Sequence, residues 1–155
     1  MFSAEITTFL FGATPIAEIR LAIPWGVTFG NLGSAEAFLW GFLGNISAST
    51  LAILLLPVAA GFARDHSKLL DNFFQKLFAK TRKKHSKNFL RFEALFLVIL
   101  VAIPIPGSGG YTGSLVAWLF GVKPKVAIPL IALGVFFAGL IVLGLTNGVR
   151  LVLGS

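Results

Sequence analysis

The sequence predicts an all-α integral membrane protein whose two similar halves form an inverted repeat. Each half is expected to be a re-entrant helical hairpin followed by one transmembrane helix, and an amphipathic interfacial helix joins the halves. Three observations predict this fold. The 155 residues are 56% hydrophobic and 12% charged, whereas a soluble domain has about 25% charged residues. Prolines and glycines interrupt the apolar sequence near Pro15 and near Pro106, and the sequences around these two breaks resemble each other.

The likeness between the halves emerges when the sequence is compared with itself. A shift of 91 positions aligns Pro15 with Pro106, and a shift of 90 aligns Gly44 with Gly134. Each half has two short apolar legs around a proline-containing break and then a long apolar segment, and internal repeats of this kind are typical of secondary transporters. The identities are few, so chance similarity is the alternative. We divide the single membrane domain into a first repeat at 1–63, a basic linker at 64–91 and a second repeat at 92–155.

The lengths of the apolar segments decide which of them can cross a membrane. As helices, the first legs at 2–11 and 93–103 would be about 15 Å long, roughly half of the hydrocarbon core. The segments at 35–63 and 126–152 would each reach about 40 Å, which is enough to span with tilt. The short legs are therefore expected to enter the membrane and turn back. The alternative is that each pair of legs forms one kinked spanning helix, which would give four crossings.

The distribution of positive charge favours the re-entrant arrangement. Of the 13 Lys and Arg residues, nine lie between Arg64 and Arg91, and two more are Lys123 and Lys125. All eleven share one side of the membrane only if the legs turn back, and that side is then cytoplasmic by the positive-inside rule. A membrane flank explains this basicity without nucleic-acid binding. The linker is predicted to form an amphipathic helix that lies in the headgroup plane. Its apolar face consists of Leu69, Leu70, Phe73, Phe74, Leu77 and Phe78.

Glu18 and Arg20 are the only pair of charged residues within the apolar segments of the first break. Thr14 is predicted to be a helix N-cap, and Pro15 is predicted to be the first residue of the helix after it. Residues two apart on a regular helix do not face each other, so either the backbone is irregular there or each charge has another partner. Intramembrane charges generally mark functional sites. We expect Glu18 to bind a proton or cation, with Arg20 as its counter-charge or as an anion anchor. A purely structural ion pair is the alternative.

The second break, "PIPGSGGYTG", is the matching element of the second half. Successive N–H groups at the start of a helix can bind an anion, and a glycine-rich hinge is the alternative role. Two polar residues of the first spanning segment, Asn45 and Ser49, are expected to line the cavity between the breaks.

The chain has no Cys, and both His residues lie in the linker. We therefore predict no metal, no cofactor and no enzymatic activity. The remaining site candidates are Pro15, Pro24, Pro106, Gly107, Ser108, Gly109, Tyr111 and Thr112.

The blocks "PIAEIRLAIPWGVTFG" and "AIPIPGSGGYTGSLVAWLFG" resemble the two signature blocks of the putative small multidrug export protein family. The family's blocks typically read Pro-x-x-Glu-x-Arg with a downstream Pro-x-Gly, and Pro-x-Pro-Gly-x-Gly-aromatic-Thr-Gly. Tyr111 replaces the commoner Trp, and Gly110 the usual Ala. A wider resemblance to DedA/VTT-type proteins implies paired re-entrant hairpins and a link to lipid translocation. Those proteins usually carry arginines in the second hairpin, and none lies between Glu93 and Gly121 here.

The residues and the resemblance together support three hypotheses for the function. The first is a small secondary exporter in the inner membrane of a prokaryote, with proton coupling through Glu18. The second is a DedA-like lipid translocase or scramblase, and the third is a membrane scaffold that transports nothing. The expected partners are the lipid bilayer, a small molecule or lipid as substrate, and protons. A homodimer is an arrangement that such a small bundle permits.

Overall fold

The computed structural model describes residues 3–66, 87–104 and 109–153, and within these ranges every regular element is an α-helix. The all-α class is thereby confirmed. The predicted interfacial helix lies mostly outside the described residues, as do Pro106, Gly107 and Ser108. The described helices are α1 (Ala4–Ala13), α2 (Glu18–Thr28), α3 (Ser34–His66), α4 (Lys87–Ala102), α5 (Gly110–Leu119) and α6 (Pro124–Leu153).

The two long helices, α3 and α6, contain the segments that can cross a membrane. Ser34–Phe62 and Pro124–Val152 are each 29 residues long and strongly apolar, which corresponds to about 43 Å of helix. They are antiparallel, because Ser34 Oγ donates to Asn147 Oδ1 at 3.1 Å and the rings of Phe38 and Phe136 pack edge to face. We call the two ends of the bundle the Ser34 end and the Pro124 end. The end of α3 lies at the Pro124 end, together with the start of α6.

Helices α1 and α2 form a hairpin on the first half of α3. Gly30, just after α2, lies against Ala4 at the start of α1, so the hairpin begins and finishes at the Ser34 end. Gly12 packs on Gly41, and a side chain at Gly44 would collide with the backbone of α1. Gly44 is ten residues into α3, about 15 Å from its start. The chain therefore turns back within the first half of the long helix.

Helices α4 and α5 pack in the corresponding way on the first half of α6. Gly113 of α5 lies against Val101 of α4 and Ile131 of α6, and a side chain at Gly134 would collide with Val101. Gly134 is ten residues into α6, as Gly44 is in α3. The two glycines that align in the sequence thus occupy the same packing position in their halves. Across the halves, α3 packs on α5 and α2 packs on α6.

The interior of the bundle is apolar, and so is much of its surface. Large side chains such as Leu51, Val58 and Leu145 are more than half exposed on the two long helices. Soluble proteins rarely expose contiguous apolar patches of that extent, so this surface is suited to lipid. The chain is accordingly a membrane protein. Its buried core includes Ile19, Ile23, Val27, Ile53, Leu97, Val101, Ile131 and Val135.

Candidate functional site

The break between α1 and α2 is a turn that starts α2 three residues later than the sequence predicts. Thr14 Oγ1 accepts the N–H of Ala17 at 3.3 Å and donates to the Phe11 carbonyl at 2.8 Å. The predicted cap interaction is therefore present, but it stabilises the turn at residues 15–17. Pro15 is an exposed turn residue, and the helix begins at Glu18. The prediction that the helix starts at Pro15 is wrong.

Glu18 adopts a backbone conformation that is rare for a residue with a side chain. Its φ angle is +49°, in the left-handed region that costs about 1–2 kcal/mol for an L-residue. Strain of this kind concentrates at functional sites. The irregular backbone lets the Glu18 carboxylate meet Arg20, with 3.5 Å between Oε2 and Nη2. The irregular backbone, one of the two alternatives open from the sequence, is therefore present.

The Glu18 carboxylate connects the first hairpin to the start of α5. Glu18 is only 4% exposed, and its carboxylate accepts the backbone N–H of Tyr111. It also lies directly against Gly109, where any added Cβ would collide with it. A helix N-terminus is a favourable place for a carboxylate. The Tyr111 hydroxyl donates to the Ala13 carbonyl at 2.6 Å, so a second hydrogen bond joins the end of α1 to the start of α5. With α4 and α5 as the second hairpin, we call this region the contact between the hairpin tips.

A buried polar cluster lies on the other side of the α5 N-terminus. Asn45 and Ser49 are each 1% exposed, and Ser49 Oγ donates to Asn45 Oδ1 at 3.3 Å. Ser114 Oγ lies 2.9 Å from the Ser49 carbonyl, and a side chain at Gly110 would collide with both Asn45 and Ser49. Among the described residues, Asn45 Nδ2 finds no hydrogen-bond partner. This cluster fixes α5 against α3.

A cleft of about 440 Å³ runs from the first hairpin tip to the Ser34 end. We call it the arginine cleft, because Arg20 lines its inner part and Arg150, near the end of α6, lines its outer part. Arg20 and Thr28 are eight residues apart on α2, so the cleft is about 12 Å long. None of the described lining residues is acidic. They are Arg20, Pro24, Thr28, Pro104, Val142, Leu145, Thr146, Val149 and Arg150.

A second cleft, of about 400 Å³, runs from Tyr111 towards the Pro124 end. We call it the tyrosine cleft; its described lining residues are all uncharged, namely Ala52, Leu55, Leu56, Ala59, Tyr111, Thr112 and Leu115. The two clefts correspond to each other in the sequence. Arg20 and Pro24 lie 91 positions before Tyr111 and Leu115. Four of the five α6 residues of the arginine cleft (Val142, Leu145, Thr146, Val149) lie 90 positions after the α3 residues of the tyrosine cleft.

The predicted site residues thus fall into five groups. Glu18, Arg20, Gly109 and Tyr111 meet at the contact between the hairpin tips. Pro24 and Thr112 line the arginine and the tyrosine cleft, respectively. Asn45 and Ser49 line neither of these clefts and belong to the buried cluster. Pro15 is exposed at the turn, and Pro106, Gly107 and Ser108 lie outside the described residues.

Arg150 and Ser114 are site residues that the sequence analysis did not select. Arg150 could have been noticed because, with Arg20, it is one of the two basic residues outside the linker and the Lys123/Lys125 pair. Ser114 follows Gly110 by four residues, a spacing at which small residues often allow close helix contact. In the described ranges, no group of three or more His, Cys, Asp or Glu residues could hold a metal ion.

The comparisons with known proteins bear on the family of the chain. A search of curated proteins and a search of solved structures each found no significant match. Residues 18–141 match a protein family described as putative small multi-drug export protein. The match begins at Glu18, just after the turn of the first hairpin, and extends into α6, so it contains Glu18, Arg20 and the start of α5. By this match over most of its length, the chain belongs to the putative small multi-drug export protein family.

Proposed function

We propose that the protein is a small secondary transporter whose substrate site lies at the contact between the two hairpin tips. One observation carries the proposal: two clefts at equivalent positions of the halves run from opposite ends of the bundle to the same contact. The name of the family suggests export. A passage that approaches one central site from both ends is the arrangement that alternating access requires.

The hairpins in this proposal are re-entrant, and they enter the membrane from opposite sides. The first begins and finishes at the Ser34 end and lies against the first half of α3, and the second packs on the half of α6 next to the Pro124 end. Irregular backbone at membrane depth is tolerated where protein covers it, and the tips at Glu18 and Gly109 cover each other. An inverted repeat follows from this arrangement, because α3 and α6 are antiparallel.

The orientation follows from the positive-inside rule. Lys123 and Lys125 flank the start of α6, and α3 continues at the same end into the first residues of the basic linker, up to His66. The Pro124 end is therefore proposed to face the cytoplasm of a prokaryotic cell. The tyrosine cleft then opens to the cytoplasm and the arginine cleft to the outside.

The contact between the tips acts as the gate in this proposal. It consists of the Tyr111 N–H bond to Glu18, the Tyr111 hydroxyl bond to Ala13 and the packing of Gly109 on the carboxylate. A neutral hydrogen bond contributes about 1 kcal/mol net, and one to a charged group about 1.5–3 kcal/mol. The sum of a few kcal/mol is the size of gap that separates two populated conformations. Such a contact can therefore open and close during transport.

Glu18 is proposed to couple transport to protons. Arg20 and Tyr111 are the titratable groups that face it among the described residues. A carboxylate so deeply buried depends on the positive charge beside it, because an unpaired buried charge is very costly. If a substrate takes Arg20 away from Glu18, the carboxylate gains stability by accepting a proton. Proton uptake and substrate binding would then occur together.

Proteoliposomes loaded with a fluorescent pH indicator test this function. Ethidium, a cation, and dodecyl phosphate, an anion, are each added under an imposed pH gradient, with protein-free liposomes as the blank. Wild-type protein is expected to move protons in response to at least one probe, and Glu18→Gln to abolish that response. Glu36→Gln is the matched control, since Glu36 is exposed and caps the Gly33 N–H.

Two results would count against this proposal. If neither probe evokes proton movement in wild-type vesicles, proton-coupled transport of these classes is rejected. If Glu18→Gln lowers only the yield of folded protein and leaves transport per molecule intact, Glu18 is a structural residue. That second result is also what a scaffold with a purely structural ion pair predicts.

A further inference from the structure

We infer that the arginine cleft binds an amphiphilic anion, whose phosphate or carboxylate lies between Arg20 and Arg150 and whose apolar part lies along α6. This inference rests on the proposed function, because it names the substrate class for the same site. Arg20 and Arg150 are the two basic residues outside the linker and the Lys123/Lys125 pair, and both line this cleft. Charges within apolar segments are costly and mark ligand pathways.

The charge of the cleft selects an anion over a cation. Two guanidinium groups line it, and none of its described lining residues is acidic. Within the described chain, no carboxylate forms an ion pair with Arg150. The distance from Arg20 to Glu18 is 3.5 Å, longer than the 2.7–2.9 Å typical of a charge-assisted hydrogen bond. An incoming anion would therefore compete with a loose ion pair at this carboxylate.

The arginines are the charged donors that line the cleft. Thr28 Oγ1 already donates to the Pro24 carbonyl at 2.6 Å, and Thr146 Oγ1 donates to the Val142 carbonyl at 2.8 Å. The two hydroxyl protons of the cleft are thus used within their own helices. A guanidinium group offers a planar set of N–H donors that matches a phosphate or a carboxylate. Recognition therefore depends on the charge of the headgroup.

The walls of the cleft favour an anion with an apolar part. Pro24, Pro104, Val142, Leu145 and Val149 contribute apolar surface, and the volume of about 440 Å³ falls in the range of sites for drug-sized ligands. Inorganic phosphate would fill only a small part of it. An alkyl chain can lie against the valine and leucine side chains while the headgroup contacts the arginines.

Binding to purified protein in dodecyl maltoside tests the inference without requiring transport. The probes are dodecyl phosphate, dodecyltrimethylammonium and inorganic phosphate, with affinity measured by calorimetry. Dodecyl phosphate is expected to bind, and Arg150→Gln to weaken it about 10-fold or more, as loss of a hydrogen bond to a charged group implies. Arg20→Gln is expected to do the same. Lys125→Gln is the matched control, because Lys125 is exposed at the opposite end of the bundle.

Three results would overturn the inference. These are equal binding of dodecyltrimethylammonium, equal binding of inorganic phosphate, and an Arg150→Gln affinity that matches the Lys125→Gln affinity. Arg150 lies away from the hairpin contact, so this variant keeps the test valid even if Arg20→Gln fails to fold. If dodecyl phosphate binds as expected but the vesicles show no transport, the proposed function fails and this inference stands.

Nanodiscs distinguish two sources of the anion. If phosphatidylglycerol nanodiscs prevent dodecyl phosphate binding and phosphatidylcholine nanodiscs do not, the ligand is an anionic headgroup of the bilayer, which supports the lipid-translocase form of the site. If binding persists in both kinds of nanodisc, the ligand is a soluble amphiphile, which supports the exporter form. Loss of binding in both would show that the cleft does not select for negative charge.

Discussion

Gly109→Ala is the substitution that most directly tests the contact between the hairpin tips. A Cβ at this position would collide with the carboxylate of Glu18. The backbone at Gly109 has φ −98° and ψ −160°, an extended conformation that alanine also adopts. The substitution therefore adds no backbone strain, and its destabilising effect comes from the collision.

The expected cost follows from what the carboxylate must give up. If Glu18 moves aside, it loses the Tyr111 N–H bond, which contributes about 1.5–3 kcal/mol as a hydrogen bond to a charged group. Replacing a glycine by alanine also reduces the entropy of the unfolded chain, which offsets about 0.4–1 kcal/mol. We expect Gly109→Ala to lower the free energy of unfolding by about 1–2 kcal/mol.

Unfolding in mixed micelles, followed by the fluorescence of the three Trp residues, measures this change. Gly144→Ala is the matched control, because a Cβ at Gly144 meets nothing within 4 Å. In a helix interior that replacement is expected to be neutral or to stabilise by up to about 1 kcal/mol. In a Glu18→Ala background the collision is gone, so the penalty of Gly109→Ala should largely disappear. An equal penalty in both backgrounds would refute the contact.

Two further predictions concern the gate and the topology. Tyr111→Phe removes the hydroxyl bond to Ala13 and should lower the free energy of unfolding by about 0.5–1.5 kcal/mol, measured in the same micelles; an unchanged stability would show that this bond does not contribute to the closed state. The sequence has no Cys, so single introduced cysteines can report the topology. A membrane-impermeant thiol reagent should label Ser3→Cys and Asn31→Cys from one side of the membrane. The same reagent should label Lys123→Cys from the other side. Labelling of positions 3 and 31 from opposite sides would instead support the four-crossing arrangement, in which the first pair of legs spans the membrane.

The lengths of the two long helices were predictable because they depend on local properties of the chain. The first leg of the second half was predicted at 93–103, whereas α4 begins at Lys87. The predicted spans at 35–63 and 126–152 lie within α3 and α6, which begin at Ser34 and Pro124. Long apolar runs form helices in lipid because every backbone polar group must be satisfied within the segment. The two interruptions were also predictable, since proline removes a backbone donor and glycine relaxes the dihedral angles. The family resemblance rested on these same breaks, and the family match confirms it. The likeness to DedA/VTT-type proteins stays a prediction.

The detailed geometry at the first break was beyond sequence reasoning. Glutamate carries no local signal for a positive φ, and Glu18 adopts one where it contacts the N-terminus of α5. The turn at 15–17 then displaces the start of α2 from Pro15 to Glu18. Similarly, Asn45 and Ser49 were expected to line a cavity because they are polar, but Gly110 packs so closely on them that they form a buried cluster instead.

The sequence by itself determined the class of protein, the lengths of its two long helices, the two breaks and the charged pair, because composition and spacing act over a few residues. Only the tertiary structure decided which residues share a site. Arg150 is 130 positions from Arg20 in the sequence, and the two reach one cleft because α6 runs antiparallel to α3 and packs on α2. Contacts over such separations depend on how the helices pack, and packing is a property of all the helices together.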